Sequence, residues 1–157
     1  MVTLGVTLGP SALGPVDFRL PADPRVRVRL LDLGLACCSL EVEATVVRGL
    51  LASAPRPGGE DAPAVTDEGV TLNVLLVSGT VTDALAPAVI RAYRSMPDPV
   101  AVMSFGACAS TGGPYWDAPT VTKGIDQLIP VDVFVPGCPP RPEALVAGLL
   151  SLLAENA

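Results

Sequence analysis

Apolar and polar positions along this chain fall into four strand-like runs separated by stretches of helical or turn chemistry. Arg25-Val-Arg-Val-Arg-Leu-Leu-Asp-Leu33 alternates and then turns apolar, which predicts a first strand. Leu72-Asn-Val-Leu-Leu-Val77 reads as a buried strand, Pro99-Val-Ala-Val-Met-Ser-Phe105 as a third strand and Val131-Asp-Val-Phe-Val135 as a fourth. Residues 39–52 and 83–95 fit helices, the second only if Pro87 lies near its first turn. Pro139, Pro140 and Pro142 suit the entry to a last helix reaching residue 154, because proline is tolerated at the first helical position.

Alternating strands and helices predict an α/β fold: an open, mainly parallel four-stranded sheet with flanking helices. Residues 1–24, rich in Gly and Pro and without a period, are expected to form a flexible N-terminal arm. Residues 25–157 then make a single domain, enough chain for one core. Pro55, Pro57, Gly58, Gly59 and Pro63 mark residues 54–69 as a linker within it.

Composition adds a partner to this picture. Half of the residues are hydrophobic and the mean hydropathy is +0.51, high for a free-standing domain, so surplus apolar surface is expected to be buried against other subunits. No run reaches the ~18–20 apolar residues of a membrane span; the longest candidate, residues 144–154, is interrupted by Gly148 and Ser151. The net charge of −6 disfavours nucleic acid as a partner. Arg19, Arg25, Arg27, Arg29 and Arg48 give only a modest basic bias near the N-terminus. The first sixteen residues carry no charge, so there is no basic n-region of a secretory signal, and reduced thiols are the expectation.

The chemistry is concentrated in four cysteines, each just beyond a strand-like run. They stand in Gly34-Leu-Ala-Cys37-Cys38-Ser-Leu-Glu41, Phe105-Gly-Ala-Cys108-Ala-Ser-Thr-Gly-Gly113 and Val135-Pro-Gly-Cys138-Pro-Pro-Arg-Pro-Glu143. Loops after parallel strands gather along one edge of an open sheet, so thiolates distant in sequence meet there. Four of them suit a soft metal centre. A disulfide between Cys37 and Cys38 is disfavoured, since adjacent Cα atoms lie about 3.8 Å apart and disulfides span about 4.4 Å or more.

The pattern places an iron–sulfur cluster ahead of zinc, whose sites usually use C-x₂₋₄-C knuckles absent here, and both ahead of inert buried thiols. Glycines at 34, 106, 112, 113 and 137 would let backbone N–H groups approach the sulfurs. The second strand exit, Ser78-Gly-Thr-Val-Thr82, would line the same rim with small polar residues. No G-x-G-x-x-G or P-loop is present, and with no histidine a Cys–His nucleophile is excluded. Asp83, Asp117, Asp126 and Asp132 read as exposed carboxylates, and Tyr115 and Trp116 as loop anchors or packing for a cofactor or partner.

Taken together and in order, these segments resemble the B subunit (20 kDa, PSST-type) of proton-translocating NADH:quinone oxidoreductase, respiratory complex I. The resemblance also includes Val77-Ser-Gly-Thr-Val-Thr82, Ala86-Pro87, Met96-Pro-Asp-Pro99 and Ile129 to Leu145, and covers residues 31–52 and 71–154. It implies a flavodoxin-like fold without flavin and one [4Fe-4S] cluster held by Cys37, Cys38, Cys108 and Cys138. It also implies an electron-carrying subunit, not catalytic alone, that passes electrons to quinone. The implied partners are a 49 kDa D-type subunit, a ferredoxin-like I-type subunit and a membrane H-type subunit, with quinone at the interface. The implied location is peripheral, on the cytoplasmic side of the cell membrane.

Small subunits of energy-converting NiFe hydrogenases and formate hydrogenlyases are related, but typically show C-x-x-C at the first site. The adjacent Cys37 and Cys38 favour the quinone-reducing branch. Two departures lie outside the cysteine segments. Val42 and Glu43 stand where that branch usually has two methionines, and the linker at 54–69 replaces an Arg-Tyr-Asp loop. A structural zinc module serving assembly is the reading from a different class.

Overall fold

The computed structural model describes residues 16–21, 23–32, 35–53 and 72–156. Its strands are β1 (Val16–Leu20), β2 (Asp23–Asp32), β3 (Ala52–Ser53), β4 (Leu72–Ser78), β5 (Val100–Phe105) and β6 (Val133–Val135). The helices are α1 (Ala36–Val47), α2 (Ala86–Ser95), α3 (Ala107–Thr111) and α4 (Pro142–Glu155).

The four expected strands are the parallel heart of the sheet. β2 pairs with β4, β4 with β5 and β5 with β6, all parallel. Parallel pairing demands a crossover between consecutive strands, and α2 supplies it between β4 and β5. The fold is therefore α/β with an open, mainly parallel sheet and flanking helices.

Two short strands extend the sheet to six, in the order β3-β1-β2-β4-β5-β6. β1 runs antiparallel to β2 and to β3. It falls inside the stretch expected to be a flexible arm; residues 1–15 of that arm lie outside the described residues, as does the linker at 54–69. Phe18 and Leu20 are buried on either side of exposed Arg19. A five-residue alternation flanked by turn formers is too short to stand out as a period, and β3, with two residues, has none at all.

The period of two in the central strands sorts side chains into two cores. Leu72, Val74 and Leu76 of β4 join Ala101, Met103 and Phe105 of β5 on one face, under Val42 of α1 and Leu145, Leu149 and Leu152 of α4. Leu75, Val77 and Val102 face the other way, against Val89 of α2 and Ala109 of α3. All seven residues of β4 are buried, as befits a central strand covered on both faces. Gly148 lets α4 approach closely, since a Cβ there would lie 2.9 Å from Met103 Cε and 3.0 Å from Val135 Cγ2.

Helix boundaries matter at two places. α1 starts at Ala36, three residues before the expected start, so Cys37 and Cys38 sit in its first turn and not in a loop ahead of it. It stops at Val47, and Gly49 follows at φ 70, where glycine is favoured. α2 begins at Ala86 with Pro87 in its first turn, where the missing N–H has no intrahelical partner to lose. Among the described residues no helix is long and apolar enough to cross a membrane.

Candidate metal centre

The carboxyl ends of the parallel strands are stitched together by backbone hydrogen bonds. Leu35 N–H, at the entry to α1, donates to Ser78 O at the end of β4 over 2.9 Å. Gly106 N–H, just past β5, donates to Val135 O at the end of β6 over 2.9 Å, and Ala107 N–H to Gly137 O over 2.8 Å. Cys108 follows in the short helix α3, and Cys138 follows Gly137. The peptide bond between Cys138 and Pro139 is cis.

Along this rim the four thiols gather. Cys38 is buried, its thiol is hydrogen-bonded with that of Cys37, and charge on Cys37, Cys108 or Cys138 would act on it. Cys108 is also buried, whereas Cys37 and Cys138 are exposed, and all four are free thiols. Among the described residues no group of three or more Cys, Asp or Glu side chains stands close enough to hold a metal ion. Four thiolates on one zinc ion, each about 2.3 Å away, would stand about 3.8 Å from one another. A four-iron cluster asks for wider spacing, because each thiolate meets a different iron.

The Cys38 thiol is pushed up to about 12 from an ordinary 9.0, first by burial and then by the neighbouring sulfurs, Cys37 foremost. The start of a helix favours a thiolate, but withdrawal from water outweighs that here. Below pH 9 the thiol is protonated whether the chain is folded or unfolded, so its contribution to stability is complete. Above pH 9 the unfolded chain releases the proton while the folded chain keeps it, and stability falls until the folded group titrates near 12. The metal-free chain is accordingly expected to lose melting temperature between pH 9 and 12, and Cys38→Ala to flatten that loss. A melting series across this range checks it; identical slopes for the two proteins would contradict it.

Three of the five rim glycines send their own N–H groups elsewhere, and Gly34 lies outside the described residues. Gly106 directs its N–H to Val135 O, Gly112 to Cys108 O and Gly113 to the Thr111 hydroxyl, none of them to sulfur. What matters is the side chain they lack. A Cβ on Gly79 would lie 1.7 Å from Leu35 O, and one on Gly106 would lie 2.5 Å from Cys38 Sγ. The sequence offers glycine at these strand exits but not the atom each one faces.

The remaining candidates are peripheral. Asp83, Asp117, Asp126 and Asp132 are all exposed or partly exposed. Asp132 has a structural use: its Oδ2 accepts from Val102 N–H over 2.7 Å while its own N–H donates to Val102 O. That pair fixes the approach of β6 to β5 and so the start of the Cys138 loop. Tyr115 and Trp116 are exposed, as are Leu40 and Val47 on α1, apolar surface of the kind that a partner protein covers. Val42 is buried in the core, and Arg48 pairs with Glu143, bridging the end of α1 and the start of α4. That guanidinium holds the Glu143 carboxyl below its usual range.

The sequence pattern of the family described as "NADH ubiquinone oxidoreductase, 20 Kd subunit" matches residues 30–152. A B-type subunit of NADH-quinone oxidoreductase from Salinispora tropica is 48% identical over 151 residues, covering 91% of this chain and 74% of that protein. A B-type subunit of NADH-quinone oxidoreductase from Streptomyces griseus is 50% identical over 156 residues, covering 95% of this chain and 61% of that one. This chain thus spans less than two thirds of the Streptomyces relative's length. Among solved structures, a chain of the membrane-bound sulfane sulfur reductase, an archaeal respiratory membrane complex, aligns with TM-score 0.54 and 29% identity. It covers 78% of this chain and 68% of that one.

Proposed function

Because this chain belongs to the 20 kDa subunit family of NADH:ubiquinone oxidoreductase, we propose that it is the electron-transferring B-type subunit of a complex I-like quinone reductase. Cys37, Cys38, Cys108 and Cys138 would hold one [4Fe-4S] cluster. The observation that carries this is the meeting of four free thiols from three distant segments on one rim of the sheet. When bound, the cluster supplies a one-electron relay.

The chain's own residues set the conditions for that relay. Cys38 and Cys108 bury two of the ligand sulfurs and keep water from one side of the site. Cys37 and Cys138 face outward, where a partner must cover them. Exposed Leu40 and Val47 on α1, and Trp116 beside α3, offer apolar surface for that cover. The partners in this reading are the 49 kDa D-type subunit, the ferredoxin-like I-type subunit and the membrane H-type subunit, with quinone at the interface. The chain itself sits peripherally, on the cytoplasmic side of the membrane.

A second reading, the small subunit of an energy-converting hydrogenase-like membrane complex, is favoured by the likeness to a membrane complex of other chemistry. The adjacency of Cys37 and Cys38 weighs against it. Purifying the assembly through this chain and analysing its iron and its large subunit tests both. Four irons per copy of this chain beside a large subunit without nickel ligands support the quinone reductase. A nickel-binding large subunit moves the assignment to the second reading, and zinc without iron refutes both.

A further inference from the structure

Gly106 lies between β5 and α3 with φ 97 and ψ 163. A Cβ at this position would stand 2.5 Å from Cys38 Sγ, whereas its next nearest neighbours would be Pro140 Cδ at 3.5 Å and Gly137 O at 3.6 Å. Relaxed contacts between heavy atoms begin near about 3.5 Å, so the sulfur occupies the place a side chain would take. Gly113 repeats the arrangement at φ 55: its Cβ would lie 2.9 Å from Cys108 Sγ and 2.9 Å from Cys108 N. The two sulfurs backed by bare glycine are the two buried ones. Neither exposed sulfur, Cys37 or Cys138, is among the nearest neighbours of a described glycine.

We propose that Gly106 and Gly113 are positioning residues for the metal centre, their bare Cα atoms fixing the depth at which the Cys38 and Cys108 sulfurs are presented to iron. This rests on reading the four thiols as cluster ligands. A thiol at the end of a free side chain turns aside from an added methyl group. A sulfur bonded to iron has lost that freedom, so the methyl group displaces the ligand or the cluster. Displacement changes the exposure and hydrogen bonding of the sulfur, the properties through which a protein sets cluster potential.

Backbone conformation is the competing explanation, because the φ and ψ of Gly106 are nearly exclusive to glycine. Gly113 and Gly49 separate the two. Both have the moderate left-handed φ, 55 and 70, but a Cβ on Gly49 would meet nothing within 4 Å. Gly49→Ala therefore carries the backbone penalty of Gly113→Ala without its nearest contacts, all of which fall on Cys108: Sγ at 2.9 Å, N at 2.9 Å and Cα at 3.1 Å.

The experiment introduces Gly106→Ala, Gly113→Ala and Gly49→Ala singly into the intact multisubunit complex. It measures iron per complex, the low-temperature paramagnetic resonance of this chain's cluster and its midpoint potential. Gly106→Ala and Gly113→Ala are expected to hold iron about tenfold less tightly, as other outer-shell substitutions do, or to shift resonance and potential. Gly49→Ala is expected to match the unsubstituted complex. If Gly106→Ala does not assemble, Gly113→Ala decides alone. Resonance, potential and iron content in Gly113→Ala equal to those of Gly49→Ala overturn the proposal. Absence of any cluster from this chain in the unsubstituted complex overturns the functional reading beneath it, a distinguishable result.

Discussion

With the proposed [4Fe-4S] cluster on this chain, Cys108→Ser is expected to remove that cluster's signal from the assembled complex while leaving the signals of other clusters in place. On the proposed assignment, Cys108 is the ligand with least room for substitution. It is buried, it is carried on a helix entered directly from β5, and it is backed by Gly113. Cys37 and Cys38 are neighbours, so the loss of one leaves a second thiol nearby; no adjacent residue replaces Cys108. Serine is almost the same size, so the fold should survive at a cost of about 1 kcal/mol.

Outer-shell changes at metal sites cost about 10- to 100-fold, so losing a ligand should lower quinone reduction by at least about 100-fold. Paramagnetic resonance and turnover on the same preparation check it together. A complex that keeps its full set of redox signals, with yield alone reduced, would return the chain to the role of an assembly module.

The second large effect is expected at Gly79, which touches no sulfur. A Cβ there would lie 1.7 Å from the carbonyl oxygen of Leu35 and 2.5 Å from its carbonyl carbon, both backbone atoms. Leu35 cannot yield easily, because its N–H is bonded to Ser78 O, the residue next to Gly79. It is also the cap of α1, so any retreat carries Cys37 and Cys38 away from the rim. Gly79→Ala should therefore destabilise the chain by about 4 kcal/mol, at the top of the range for single substitutions.

Gly49→Ala, with a similar positive φ but open space, should cost only about 1 kcal/mol. Denaturant midpoints of the two variants give the comparison. Equal costs would mean that backbone conformation alone, and not the clash with Leu35, accounts for the glycine.

These contacts mark where the sequence stops being readable. The strands β4 and β5 and the start of α4 were legible because short-range pattern decides them: period-two burial, and prolines placed where a helix tolerates them. Strands β1 and β3 were not. Antiparallel pairing gives β1 a partner in β2, and that pairing, not any period in residues 16–20, makes it a strand. The early start of α1 is similar. Ala36 adopts φ 56 beside the turn at Gly79, a choice that depends on a distant segment.

By itself the sequence determined where the four cysteines stand and that they would converge. Four cysteines follow strands, strands joined by crossovers run parallel, and parallel strands end on one edge. Only the tertiary structure decided which sulfurs are buried, which are open to a partner, and which glycines they rest upon. Exposure and close approach arise from segments remote in sequence being pressed together, and local pattern holds no record of the distance between them.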